Sequence, residues 1–334
     1  TQLNKEAGDR ITMSLVKQLN GGSTWYNTGK TGNVQLVDAE QSMTFHNMKV
    51  LIGHYRDAVS INGKTTLQRT PFSLVTKAKD LLSTKLASQM DKGVFYTLYS
   101  GHSPNIHREL GTTAVPAAAH PNIMYGKGQS ALTGVGASDT FDTDLLEREA
   151  AFVEIENINP IMVDGEPHFI HFCHPLDMKN LRADSLWQDA NINGMGRGAD
   201  NPMFSGAKGM WAGIVVKTSN NVDTAKTYSA LTVSSDVITL SAATVTGTAT
   251  DFRMNVLLGA NAIARAYGLE SYMERRKEDD YGNIMAWGGG YIYGDRRADW
   301  AVNADSGTDG TATNQSSCLV YTYAPSQSLP TTWS

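Results

Sequence analysis

The largest group of potential ligands in the sequence is His168, His171, Cys173 and His174. Imidazole with thiolate is the donor set of many zinc sites. Their spacing works against that use. The segment alternates as a strand does, so His168 and His174 share a face with Ile170 and Phe172 while His171 and Cys173 face the other way. A split set predicts structural histidines and no metal. Gly63-Lys64-Thr65 and Gly29-Lys30-Thr31 approach the end of a phosphate-binding loop, but Ala58 and Thr24 stand where its first glycine belongs. Without that glycine the nest of backbone N–H groups does not form, and both read as turns with a solvated lysine. Glu147, Glu149, Glu154 and Glu156 could serve as acid and base. On a helix they fall mostly on a solvated face opposite Leu145, Leu146 and Phe152. Glu278-Asp279-Asp280 reads as a loop, not a cation site. Gly288-Gly289-Gly290 does not open a helix and is a poor dinucleotide signal. The residues therefore predict no catalytic group and no cofactor.

The elements that carry these residues begin with an arm. Ile11, Met13 and Leu15 alternate with Thr12 and Ser14, and strand-like sequence resumes at Met43 and runs to about Ile61. Residues 20 to 42, with Gly21-Gly22-Ser23 and few apolar positions, are far longer than a hairpin turn needs. An isolated two-stranded arm buries too little surface to be stable alone, so it expects a partner surface or a role as a lid. Thr70-Pro71 predicts a helix start, followed by Phe72, Val75, Ala78, Leu82, Leu86, Met90 and Val94 at helical spacing. Running to about Tyr99, that helix is roughly 40 Å long.

Residues 101 to 140 read as a connecting loop region. A helix from Asp142 to about Glu156, a strand through Phe172 closed by Pro175 and a helix from Leu176 to Ala190 follow. Met210 to Val216 predicts one buried strand, and residues 219 to 250 an inserted hairpin turning at Ser234-Ser235-Asp236. Met254 to Leu258 leads into a helical or strand-to-helix segment through Ala266. Strands are expected near Ile284 to Trp287, Gly290 to Tyr293 and Leu319 to Tyr323.

Composition bounds the class. The chain has 334 residues, 41% hydrophobic and 18% charged, which favours a globular protein over a disordered one, and the helices and strands expected above make its class α+β. No apolar run approaches the roughly 20 residues of a membrane helix, and no secretory signal is read at Thr1 to Glu6. Two cysteines, Cys173 and Cys318, are too few for a disulfide framework and read as packing thiols. The net charge of -5 argues against tight grip on phosphates, though not against enclosing DNA without sequence-specific contacts.

Four segments carry a resemblance. Asn201-Pro202-Met203-Phe204-Ser205-Gly206-Ala207-Lys208-Gly209-Met210-Trp211-Ala212-Gly213-Ile214-Val215-Val216 resembles a signature of the major capsid proteins of N-four-like podophages. Met254 to Ala262, Asp279-Asp280-Tyr281-Gly282-Asn283 and Ala7-Gly8-Asp9-Arg10-Ile11-Thr12 are similar to further segments of that family, in its order. The resemblance implies the Hong Kong 97 capsid fold. It assigns 1–10 as an N-terminal arm, 11–61 as the extended loop and 62–160 as a peripheral domain with the spine helix. Residues 161–277 become an axial domain including the 219–250 insertion, and 278–334 returning strands and a tail.

The implied role is a virion protein, made in the host cytoplasm, that assembles into hexamers and pentamers of an icosahedral head around double-stranded DNA. Portal and scaffolding or decoration proteins would be its partners. A nanocompartment shell protein and a hydrolase with a lid arm are the alternatives. Trp25, Tyr26, Lys30, Phe45 and Arg56 are the expected subunit-interface residues. Some capsids of this fold cross-link through a loop lysine, but no partner Asn or catalytic Glu can be placed for Lys30.

Overall fold

The computed structural model describes residues 10–16, 33, 35, 37, 45–61, 63–114, 118–194, 209–234, 237–243, 249–276, 281, 283–300, 313–314 and 316–325. Trp25, Tyr26, Lys30, the segment 201–208 and Glu278-Asp279-Asp280 lie outside them.

β1 (Arg10–Val16) and β2 (Phe45–Leu51) form an antiparallel ribbon, pairing Arg10 with Leu51 and Val16 with Phe45. The alternation anticipates this arm but extends it too far. After Ile52 the chain enters β3 (Gly53–Ile61), which pairs with a different strand, β13 (Met285–Arg297). β13 also pairs with β12 (Ile263–Arg275), giving a three-stranded sheet in the order β12-β13-β3. The two strands expected over 284–293 are thus one, and the helical expectation through Ala266 is overturned by β12.

A short α1 (Gly63–Arg69) precedes α2 (Leu74–Ser100), a helix of 27 residues and about 40 Å. Its start differs from the expected one. The Thr70 hydroxyl donates to the Thr66 carbonyl at the end of α1, Pro71 falls between the helices, and Ser73 caps α2 by accepting from the Thr76 N–H. Gly101, at φ 91°, ends it in the left-handed region. Phe72 is exposed, whereas Ala78, Leu82 and Leu86 are buried, the two leucines against Tyr291 and Tyr293 of β13.

The region 101–140 is not only loop. It holds α3 (Pro104–Ala114), kinked at Gly111, and β4 (Ile123–Tyr125). α4 (Thr143–Ile155) starts at an Asp142 cap, as anticipated. β5 (Ile161–Val163) and β6 (Glu166–Cys173) form a hairpin, and Pro175 opens the next helix. The single helix expected over 176–190 is two, α5 (Pro175–Ala183) and α6 (Ser185–Gly194). Asp184 separates them because its carboxylate accepts from Thr143 and from the Leu186 N–H.

The expected strand 210–216 is a hairpin of β7 (Gly209–Trp211) and β8 (Ile214–Thr218). Ala212 and Gly213 both take positive φ, the geometry of a two-residue turn that matches strand twist. β9 (Lys226–Ser234) and β10 (Val237–Ala242) form the anticipated inserted hairpin, with residues 235–236 outside the described set. β11 (Phe252–Leu258), β14 (Asp299–Trp300), β15 (Thr313–Asn314) and β16 (Ser317–Tyr323) complete the chain.

Seven strands make the larger sheet, in the order β4-β16-β11-β6-β8-β7 with β5 added to β6. Leu145, Leu146 and Val153 of α4, with Leu181 and Trp187, bury one of its faces through Phe169, Val216, Leu257 and Val320. Leu98 and Tyr99 at the end of α2 pack with Met254, Val256 and Leu319. α2 therefore lies on the small sheet along its middle and on the large sheet at its end.

Candidate functional site

The described ribbon of the arm is rooted on one face, and its last described rung is exposed. Ile11, Met13 and Leu15 stand opposite Val50, Met48 and His46, and this row packs with Ala264, Ala266 and Trp300. Small residues on the sheet let it approach. A Cβ at Gly294 would run into the Leu51 carbonyl oxygen, so only glycine permits that contact. The Arg296 guanidinium donates to the Lys49 carbonyl at 2.6 Å. On the other row, Ser14 donates to the Asn47 side chain at 2.7 Å, and the last described rung is Val16 opposite Phe45, 51% and 52% exposed.

Of the expected interface residues, Phe45 occupies this exposed rung. Arg56 lies elsewhere, exposed on β3 opposite Gly290. The structure does not bring these two into one patch.

Buried polar groups hold the layers together. Arg297 is fully buried and donates to both Asp299 oxygens and to the carbonyls of Leu98, Tyr99 and Ala119. It thereby satisfies carbonyls in the last turn of α2. Asn314 bridges Asp299 to Ser317, and the Ser317 hydroxyl meets His120 at 3.0 Å. Burial would raise the Asp299 pKa, but the Arg297 charge and hydrogen bonds hold it below the ordinary value. Burial lowers His120 to about 3, so it is neutral at physiological pH. Sequence reasoning missed Arg297, whose partners are up to 199 residues away.

The carboxylates and histidines of the strand region are placed as follows. His171 and Cys173 point into the core, and His168 and Ile170 to the other face, as the alternation requires. His174 has left the strand and caps α5, its Nδ1 accepting from the Leu176 N–H. Glu149 corrects the expected solvated face. It is fully buried and lies 2.8 Å from His171 Nδ1, with Phe141 stacked on the imidazole at 4.6 Å. The signal was present, since Glu149 stands four residues from both Leu145 and Val153, which share the buried stripe.

Asp177 is also fully buried. It accepts from the Thr322 hydroxyl at 2.7 Å, Thr322 in turn accepts from Asn255, and burial raises the carboxyl to about 6. These groups sit inside packed layers, where they can fix strand positions. Both cysteines are buried, and burial raises both thiols. Among the described residues no group of three His, Cys, Asp or Glu is arranged to hold a metal. No helix among them is long and apolar enough to cross a membrane.

A family described as phage capsid protein matches residues 1–326. The major capsid protein of Pseudomonas phage KPP25 is 25% identical over 236 residues, covering 65% of this chain and 61% of that protein's length. Among solved structures, the capsid asymmetric unit of Cyanophage Pam1 superposes with a TM-score of 0.70 at 18% identity, over 97% of this chain and 87% of that one. The capsid of Ralstonia phage GP4 gives 0.68 at 20% identity, over 98% and 88%. At such identities the structural likeness speaks for the fold.

Proposed function

Since the chain belongs to the phage capsid protein family, we propose that it is the major capsid protein of a tailed bacteriophage, building an icosahedral head by repeated contacts between copies. The observation that carries the reading is the match of the phage capsid family over residues 1–326, with a capsid fold over nearly the whole chain and a sequence likeness to a major capsid protein over 65% of it. The geometry supports it. A ribbon fastened to its own subunit by one face, with its last described rung apolar and exposed, is suited to contact a neighbour. Many such weak contacts close a shell without any one being strong.

The finer assignment is the Hong Kong 97 type. On this reading the ribbon belongs to the extended loop of 11–61, α2 is the spine, and the small sheet with α2 forms the peripheral layer. The large sheet forms the axial layer, drawing β5 to β8 and β11 from 161–277, β4 from 62–160 and β16 from the returning segment, while β12 pairs in the small sheet. Hexamers and pentamers, a portal, scaffolding or decoration proteins and enclosed double-stranded DNA follow from it as partners. The Glu149–His171 pair, being buried, is not available to a lid hydrolase as acid and base.

Sedimentation and electron microscopy of the purified chain test the proposal. Closed particles hundreds of ångströms across are expected. A chain that remains monomeric at every concentration and salt refutes it, and particles from infected cells holding protein cargo instead of DNA would favour a nanocompartment.

A further inference from the structure

A cavity of about 360 Å³ lies where α2, α3, the small sheet and the inserted hairpin meet. Tyr96 and Tyr99 line it from α2, Tyr55 and Tyr291 from the sheet, and Ile238 and Leu240 from β10. Its size falls in the range of small-molecule sites, and its wall is of the aromatic and aliphatic kind such sites have. Among the described strands β9 and β10 pair only with each other, and so short a ribbon depends on what it covers.

The polar groups of the wall divide into two sets. The Tyr96 hydroxyl meets His107 Nδ1 at 2.9 Å, and the Tyr99 hydroxyl donates to the Met254 carbonyl at 2.8 Å. Asp223, the acid of the wall, is held by Lys226 at 2.7 Å. Asn105 and Arg108 are left over. Asn105 is 3% exposed, yet its amide nitrogen meets no acceptor among the described residues, and neither does the buried Nε of Arg108. The two stand three residues apart in α3 and so share one side of that helix. Arg108 lays the face of its guanidinium over the Tyr55 ring at 5.8 Å, which leaves the N–H edge without an acid to pair with. Buried donors in this state are costly unless something accepts from them. Lys92 adds a second cation at the exposed side of the cavity. Burial raises the Tyr291 phenol to about 12, so it remains a neutral donor.

We propose that this cavity binds a small organic acid, with its carboxylate on Arg108 and Asn105 and its apolar body between Tyr291 and the β10 side chains Ile238 and Leu240. The unmet groups are a cation and an amide, which call for an anion. The aromatic and aliphatic remainder of the wall calls for a ring or a branched chain, which an inorganic ion lacks. The site lies within one subunit and goes beyond the capsid reading without depending on it. A bound acid would fasten the hairpin to α3, because the two parts of the ligand touch one element each.

Calorimetry of the purified chain with benzoate, indole-3-acetate and 4-phenylbutyrate, each beside its neutral amide, is the test. At least one acid should bind about tenfold or more tightly than its amide. Arg108→Gln should weaken that acid about tenfold or more, and Ile238→Trp, which keeps the cation and narrows the cavity, should weaken it as well. Thermal melting shows whether each variant is folded. A readout on the unaltered chain stands beside them: amide hydrogen exchange at Ile238 and Leu240 should slow with the acid and not with the amide.

No binding by any of the acids at millimolar concentration overturns the proposal, and so does equal binding of acid and amide. Inorganic phosphate that competes as well as the acid shows a site for a bare anion only and overturns the apolar half. Affinity unchanged in the folded variants, or hydrogen exchange in β10 unmoved by a saturating acid, puts the ligand elsewhere and overturns the cavity as its site.

Discussion

Replacing Asp177 by asparagine should make the subunit more stable at neutral pH. Asp177 is fully buried between α5 and the large sheet, with one oxygen accepting from Thr322. Burial raises its carboxyl from 3.8 to about 6, against the opposing pull of Thr322, Asn255, His171 and Arg253. A folded-state pKa above the unfolded one means that the folded chain disfavours the carboxylate. The contribution of Asp177 to stability is then greatest below about pH 4, falls as pH rises to about 6, and stays at the lower level above that.

The rise from 3.8 to about 6 corresponds to about 3 kcal/mol at about 1.36 kcal/mol per pH unit, an upper bound. The substituted amide would keep the acceptor for Thr322 but forfeit the attraction to Arg253, so a gain of about 1–2 kcal/mol at pH 7 is expected. Urea unfolding of dissociated subunits at pH 4, 5, 6 and 7 measures it, and taking the difference between variants cancels every other titrating group. The two should converge near pH 4 and separate by pH 6. If Asp177→Asn is less stable at pH 7, or the difference is flat across the range, the carboxylate is held ionised by Arg253 and the reasoning fails.

Arg297→Met should cost about 3–5 kcal/mol, because Asp299 and the α2 carbonyls lose a buried cation, and combining it with Asp299→Leu should recover part of the loss; thermal melting decides. Gly294→Ala should loosen the arm by forcing Leu51 away, seen as faster hydrogen exchange at Met48 and Val50. Phe45→Ser should leave subunit stability within about 0.5 kcal/mol. The same variant should raise the concentration needed for assembly about tenfold, since the exposed half of the ring is worth about 1.4 kcal/mol against a neighbour. An unchanged assembly threshold for Phe45→Ser removes the Val16–Phe45 rung from the interface.

Local patterns were legible where one element decided them. The split of His168 and Ile170 from His171 and Cys173 needed only the strand period, and the Asp142 cap only its side chain. Patterns failed where the partner lay far off in sequence. Ala264 and Ala266 carry helix propensity, yet they sit in β12 because small side chains there let Met48 and Val50 pack on the sheet. Thr70-Pro71 has the form of a helix start, but the strength of that signal does not exclude Ser73 three residues later. The run 210–216 concealed its turn, since an apolar stretch shows no period and Ala212-Gly213 is a weaker turn signal than Asn-Gly. Arg297 had no local signal, because the groups that make its burial tolerable are α2 carbonyls and a carboxylate brought together only by the fold.

The placement of the polar joints explains how one chain can be firm inside and sparing outside. α2 touches both sheets, and Arg297 fixes its end to β14 and to the loop at Ala119, so bending one sheet against the other must break a buried charge pair. That keeps the orientation of the ribbon on the small sheet constant from copy to copy. A shell needs this constancy more than it needs strong contacts, since an error in angle repeats around every ring, whereas a contact of about 1–2 kcal/mol is multiplied by the number of neighbours. The exposed Val16–Phe45 rung is a modest apolar surface, of the size that such multiplication would suit. A stronger arm would trap misplaced subunits before the ring could close.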